Sequence, residues 1–185
     1  VLFKSFSQIT EDARKKELIK LYNEVLAEIP EESLPEDDRK QSDVIAMLQK
    51  LLRSEYLQRD LYEAYAYCLF NVDGEVIRPH LKEHMEEEQA HVEILQRYLT
   101  SYGALPTLER FKIPLIKPVS IVGILKEDLI KEKDAVKEYS EAIAFLEGSV
   151  KYAALRLDLE NILVQEQEHV HDIERWLSEE EMDLK

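Results

Sequence analysis

Cysteine, glycine, proline and positive charge are all scarce in this chain, and each scarcity excludes something. The single cysteine, Cys68, leaves no partner for an internal disulfide and rules out a thiolate zinc or iron–sulfur site. It suits a reducing compartment, so a cytoplasmic location is expected, and Cys68 itself reads as a small apolar filler on a helix. Four glycines and six prolines in 185 residues provide too little turn punctuation for an all-β fold. No apolar run approaches the ~18 residues of a membrane span, so no membrane partner is expected. The start of the chain has no signal-peptide pattern. Because the first residue is Val1, further residues or a processed leader are expected ahead of it. Lys and Arg number 24 against 39 Asp and Glu, a formal charge of -15. Nucleic-acid affinity rests mostly on cationic side chains, so no nucleic-acid partner is expected. The clusters Arg14–Lys15–Lys16 and Arg39–Lys40 are interleaved with acids and read as solvated helix faces. Acidity of this degree suits a protein that gathers metal cations, or serves solubility alone.

What is present points to helices. Hydrophobic residues make up 45% and charged residues 34%, the balance of one helix-rich domain with a sizeable core. Residues 1–41 read as an amphipathic N-terminal helix (Ile9, Ala13, Leu18, Leu21, Val25, Leu26) followed by an acidic, proline-bearing linker. Residues 42–185 read as a bundle. Its first helix is expected from Ser42, as N-cap, to Phe70, with a tight turn over Asn71–Gly74. A second is expected over Ile77–Tyr102, and so short a turn makes the two antiparallel neighbours. Gly103–Gly123 holds three prolines and no period. A link of that length needs a reason, and a crossover along the whole bundle supplies one. A third helix over Ile124–Leu146, a turn at Gly148–Ser149 and a fourth helix to Leu177 complete an all-α, antiparallel four-helix bundle.

A repeated pattern runs through these helices. Glu55, Tyr62, Glu88 and His91 stand as Glu-x6-Tyr-x25-Glu-x2-His, and Glu132, Tyr139, Glu166 and His169 as Glu-x6-Tyr-x26-Glu-x2-His. Residues three apart on a helix share a face, so Glu88 with His91, and Glu166 with His169, project together. All four glutamates interrupt apolar stripes where Leu would be expected. Burying four carboxylates without partners costs several kcal/mol apiece, whereas two divalent cations would cancel the four charges. One imidazole and several carboxylate oxygens per ion suit iron, with manganese possible, better than thiolate zinc or an all-oxygen calcium shell. With Glu88 and Glu166 bridging, each ion keeps open positions for dioxygen, peroxide or water. Tyr62 and Tyr139 either serve that site, by hydrogen bonding or electron transfer, or are core tyrosines. Glu168 and His171 repeat the spacing but fall on a polar face. His80 and His84, with Glu83 and Glu87, read as ordinary helix residues or as an accessory metal route.

On these residues the chain resembles the ferritin-like superfamily, and within it the bacterioferritin and Dps-like branch. The resemblance spans about residues 42–177 and rests on Glu55 and Tyr62 in SEYLQRDLY, Glu88 and His91 in EEEQAHVEIL, Glu132 in LIKEKDAVKEY, and Glu166 and His169 in QEQEHVHDI. It implies a ferroxidase with two iron ions per chain, held by Glu55, Glu88, His91, Glu132, Glu166 and His169. Dioxygen or peroxide would oxidise Fe(II), and a homo-oligomeric shell would store the ferric product and protect against oxidative stress. Bacterioferritins place a haem-ligating methionine one residue after the second-helix glutamate; here that residue is Gln89, so no haem is expected. The absence of a fifth helix after Leu177 points to twelve subunits. The same six ligands would equally serve a di-iron or dimanganese oxidase, hydroxylase or catalase without storage.

Overall fold

A computed structural model describes residues 39–69, 72–111 and 120–183. Four helices make up the bundle: α1 (Gln41–Cys68), α2 (Val72–Ser101), α3 (Ile121–Leu146) and α4 (Ala153–Asp183). No strand occurs among the described residues, and none of the described helices is long and apolar enough to cross a membrane. The expected N-terminal helix and nearly all of the acidic linker lie outside the described residues.

The four-helix expectation holds, with shifted boundaries. α1 starts at Gln41 behind Lys40, which caps nothing with its side chain; the expected cap, Ser42, sits inside the helix and donates to Asp43 Oδ1. α2 begins at Val72, inside the stretch expected to turn. A glycine in a helix costs about 1 kcal/mol, and the helical start is compensated by burying Ile77 and Leu81. Pro79 lies within α2 on its exposed face, where water can take the carbonyl that proline leaves without a donor. α3 starts at Ile121, three residues early, because the Ser120 side chain accepts from Gly123 N at 3.1 Å and so caps the first turn. α4 continues past Leu177 to Asp183. Gly148 takes up the turn between α3 and α4 with φ +75°, a left-handed conformation that glycine adopts without strain.

α1 packs along α2, and α3 along α4. The core falls into two apolar clusters. One gathers Val44, Leu48, Leu52, Leu95, Leu99, Leu146, Leu155 and Ile162; the other gathers Leu61, Tyr65, Leu69, Leu81, Ile124, Leu125, Ile173 and Trp176. α2 therefore ends in the first cluster while α3 opens in the second, and the intervening link must travel the length of the bundle. Its described part does so along α1. Gln49 binds Leu105 O at 2.7 Å, Arg53 meets Glu109 at 3.0 Å, and the Arg110 guanidinium lies over the Tyr56 ring.

Two arginines from distant positions close helix ends that carry no basic residue in their last turn. Arg78 donates from Nε to Ala66 O at 2.9 Å and from Nη2 to Leu69 O, capping α1. Arg39 does the same for α3, at Phe145 O (2.6 Å) and Glu147 O. Cations here meet both the free carbonyls and the negative end of the helix dipole. Replacing Arg78 by Ala is expected to cost about 1.5–3 kcal/mol, read as a lowered urea midpoint with an unchanged slope.

Candidate metal centre

Between the two apolar clusters lies a polar layer. Glu55, Glu88, His91, Glu132, Glu166 and His169 are all buried there, with Glu88, Glu132 and Glu166 wholly inaccessible at 0%. All four helices contribute: Glu55 from α1, Glu88 and His91 from α2, Glu132 from α3, Glu166 and His169 from α4. They form two groups, Glu55–Glu88–His91–Glu166 and Glu88–Glu132–Glu166–His169, whose ligand atoms all lie within 4.8 Å of one another.

The shared glutamates split their oxygens between the groups. His91 Nδ1 lies 3.4 Å from Glu88 Oε2 and 3.1 Å from Glu166 Oε1. His169 Nδ1 lies 3.4 Å from Glu88 Oε1 and 3.8 Å from Glu166 Oε2. Each carboxylate thus offers one oxygen to each side, the arrangement a bridging ligand requires. Glu55 Oε2 completes one side at 3.2 Å from His91 Nδ1, and Glu132 Oε2 the other at 3.4 Å from His169 Nδ1.

The surrounding residues orient these groups. Tyr139 on α3 donates to Glu55 on α1, and Tyr62 on α1 donates to Glu132 on α3, so each tyrosine reaches into the opposite hairpin. Burial, then the charges of Asp128 and Glu132, push the Tyr62 hydroxyl well above its usual pKa. Burial, then Glu55 and Glu166, do so for Tyr139, and both phenols remain donors. Gln58 Nε2 adds a bond to Glu132 Oε1 at 3.0 Å. The outer histidine nitrogens are engaged too: His91 Nε2 pairs with Gln165 Oε1 at 3.1 Å and His169 Nε2 with Glu87 Oε2 at 2.8 Å. With the proton on the outer nitrogen, each ring turns the lone pair of Nδ1 inward.

At the centre, six polar atoms have no hydrogen-bond partner: both oxygens of Glu88, both of Glu166, Glu132 Oε2 and His169 Nδ1. Buried polar atoms are ordinarily paired, and these converge on two points with four carboxylates and two imidazoles. That donor set fits two hard-to-borderline divalent cations such as iron or manganese. Metal-free, the carboxylates and rings must share protons instead. Burial, then the Glu88 charge, lift the Glu55 pKa to about 8, and burial with the same neighbour lifts Glu166. Burial works against the Glu88 carboxylate, but the adjacent His169 and His91 rings, each 3.4 Å from one of its oxygens, outweigh it and hold its pKa low. Burial also opposes protonation of both rings, yet Glu55, Glu166 and Glu88 around His91, and Glu132, Glu87 and Glu88 around His169, raise their values well above normal.

Several neighbours escape sequence reasoning. Asp128, buried at 1%, stands one turn before Glu132; its only signal is an acid on the stripe of Leu125 and Leu129. Burial, then the charge of Glu132, push its carboxyl well up. Gln58 and Gln165 carry no signal of their own. His84, read above as an ordinary helix residue or part of an accessory route, is buried with Nδ1 3.3 Å from Tyr62 OH. Burial, then His169, lower its pKa to about 3. His80 and Glu83 are exposed, as are Glu168 and His171, and none of the four joins a central group. Cys68 is half-buried at the end of α1.

An antiparallel four-helix bundle with a carboxylate–histidine cluster between its two hairpins defines a ferritin-like protein. The chain belongs to the ferritin family: the family model described as the ferritin-like domain matches residues 45–182. Bacterial ferritin of Synechocystis is 26% identical over 134 residues, 72% of this chain and 85% of that protein. Bacterial ferritin of Neisseria gonorrhoeae is 25% identical over 134 residues, 72% and 86% respectively. Among solved structures, a ferritin-like diiron-carboxylate protein of Bacillus anthracis superposes with a TM-score of 0.68 at 20% identity, covering 74% of this chain and 96% of that one. A dodecameric thioferritin, the bacterioferritin-related protein of Bacteroides fragilis, gives 0.67 at 20% identity, covering 89% and 94%.

The proton balance sets a pH dependence for the metal-free chain. Glu55, Glu166, His91 and His169 have folded-state pKa values above their unfolded ones. Between pH 6.5 and 8 the native state therefore holds more protons than the unfolded state, and stability falls as pH rises. Among the groups with lowered values, Glu87 and Glu88 are already deprotonated in the unfolded state by pH 6.5; unfolded His84 still holds part of a proton there and offsets only a fraction of the protons held by the four raised groups. With chelator present, the urea midpoint is expected to drop between pH 6.5 and 8. Added divalent cation should raise the midpoint and reverse or flatten that slope, because the cation takes the place of the protons.

Proposed function

We propose that this chain is a ferroxidase that takes Fe(II) as substrate, oxidises it with dioxygen or hydrogen peroxide, and stores the ferric product in a homo-oligomeric shell. The observation that carries this reading is the set of six unpartnered donor atoms at the meeting point of Glu88, Glu132, Glu166 and His169. Glu55 with His91, and Glu132 with His169, would each hold one ion, and Glu88 with Glu166 would bridge the pair. The paired ions supply two electrons together, which with two protons reduce one dioxygen to hydrogen peroxide, or one hydrogen peroxide to two waters.

The chain's part is to bind and orient. Tyr62 and Tyr139 fix the terminal carboxylates, so that one oxygen of each points inward. Gln165 and Glu87 fix the ring tautomers. The two apolar clusters keep bulk water from the centre, which strengthens the electrostatic hold on a divalent ion. A groove of about 440 Å³ between α1 and α3 reaches Gln58, the residue bonded to Glu132. Glu127, Asp134 and Glu138 line it beside Lys131 and the apolar Leu57, Leu61 and Phe111, and the three carboxylates suit passage of a cation. Subunit association is supported by large apolar side chains left exposed on the crossover, Leu105, Leu108 and Phe111, and by the dodecameric state of the Bacteroides fragilis relative. Twelve subunits is the assembly we infer.

Excess Fe(II) with oxidant, followed by gel filtration, tests the reading. Iron retained far beyond the two ions that the paired groups can hold, on a large assembly, is expected. About two per chain on a small species would mean a dinuclear enzyme without storage, and retention of Mn(II) alone would mean a manganese enzyme. Glu88→Ala should abolish oxidation with helical circular dichroism unchanged. Tyr139→Phe should weaken metal binding about 10- to 100-fold, read by competition with a chromogenic chelator.

A further inference from the structure

The groove between α1 and α3 extends beyond the part that reaches Gln58. These two helices meet far less extensively than either meets its hairpin partner. A second hollow of about 220 Å³ lies in the same seam and shares Glu138 with the first. Together they run from Asp43 to Leu61 along α1, about 27 Å of helix. Met47, Leu51, Ala142 and Phe145 give the second hollow an apolar lining, and Phe145 is 39% exposed. Around the pair stand five carboxylates against two lysines. Apolar surface of this kind, left open in a seam and rimmed by acids, fits an amphipathic helix that carries cations on its apolar edge.

The chain itself brings such a sequence to the groove. Residues 1–38 lie outside the described part, and the chain enters the bundle at Arg39, whose side chain binds Phe145 O and Glu147 O. It therefore arrives beside the end of the groove that Phe145 lines. Upstream, Leu18, Leu21, Tyr22 and Val25 stand at the i, i+3, i+4, i+7 spacing of a one-sided helix. Arg14, one turn before Leu18, falls in line with that stripe, and Lys15 falls at its edge. Residues 9–28 as a helix span about 30 Å, the length of the groove. Pro30 and Pro35 interrupt such a helix. The ten residues 29–38 reach as far as about 33 Å, ample to reverse the chain. Folded back antiparallel to α1, the stripe comes over Met47 and Phe145, and Arg14 over the stretch of α3 that carries Asp134.

We propose that residues 9–28 form a helix that docks into the α1–α3 groove of its own chain, with the apolar stripe on Met47 and Phe145 and Arg14 towards Asp134. Burial of the stripe supplies most of the hold, and the exposed ion pair sets the register. Docked there, the helix lies over the approach to Gln58 and Glu132. That consequence rests on the groove being a route for cations, as proposed above: ions taking it enter when the helix lifts.

A photoreactive benzoylphenylalanine in place of Met47, in the purified full chain, tests the docking. Irradiation should crosslink it to residues within 9–28, mapped by peptide mass spectrometry, in a product that runs as one chain on a denaturing gel. Should position 47 not tolerate the larger ring, Phe145, already aromatic, takes the label instead. Arg14→Glu should lower the yield about two- to fivefold, and Asp134→Arg added to it should restore the yield. Leu21→Asp should abolish the crosslink. Without the label, Leu21→Asp should also speed anaerobic Co(II) capture, followed by visible absorption, at least about threefold as the open fraction rises. No crosslink into residues 9–28, or a product that runs as two chains, overturns the docking. So does a crosslink obtained only from a label at Leu157, which with Val164 forms an exposed apolar stripe on α4. An internal crosslink with Co(II) capture unchanged by Leu21→Asp overturns the covering of the route and leaves the docking in place. No Co(II) bound by any form overturns the dinuclear reading, and the crosslink still decides the docking.

Discussion

Four carboxylates buried in the middle of a helical bundle are the constraint from which the rest of this structure follows. Helices bury apolar stripes readily, but a glutamate among them loses its hydration, and the helix backbone offers no free donor in its place. The chain answers with two imidazoles, two phenols and the Gln58 carboxamide around the carboxylates, and with Gln165 behind the His91 ring. Six central atoms still remain without partners. An arrangement so close to satisfied at its rim and so unsatisfied at its centre could hold cations.

The apolar core is divided accordingly. One cluster closes the layer on the side of Leu52, Leu95 and Tyr139, the other on the side of Tyr62, Leu81 and Ile173. Each cluster contains one of the two site tyrosines, so packing and site share residues. Movement of either phenol would disturb both a carboxylate and a packed layer. That coupling keeps the donors rigid, which a metal centre needs for discrimination by geometry.

The site was legible in the sequence to the extent that its geometry is local. Glu88 with His91, and Glu166 with His169, share a helix face by spacing alone, and two matched copies separate them from chance. That Glu88 and Glu166 each belong to both central groups is in keeping with the repeat as well, since they hold the same position in its two copies. What depends on register between helices was not legible. The spacing of Tyr62 and Tyr139 from Glu55 and Glu132 could not reveal that each phenol reaches the other hairpin's carboxylate. Nor could it reveal Gln58 or Asp128, whose relevance lies in what they face. Helix ends were misjudged for a similar reason. Asp73–Gly74 has turn chemistry, yet Ile77 and Leu81 of α2 pack well enough in the second apolar cluster to continue the helix back to Val72. The caps provided by Arg39 and Arg78 come from remote segments that no local pattern identifies.

The long link between α2 and α3 acquires a different meaning from the exchanged tyrosine bonds. Each hairpin carries two of the buried glutamates, a histidine and a tyrosine, yet neither completes a central group alone, because each group takes one carboxylate from the other hairpin. The two hairpins are therefore related to one another much as two molecules in a dimer are, and the crossover is a tether between them. Its chemical contribution is effective concentration: it makes the meeting of two half-sites an intramolecular event. Such a tether can vary in sequence without altering the ligands, provided that it still spans the bundle. It also frees the two halves to diverge, which a true dimer of identical hairpins could not do.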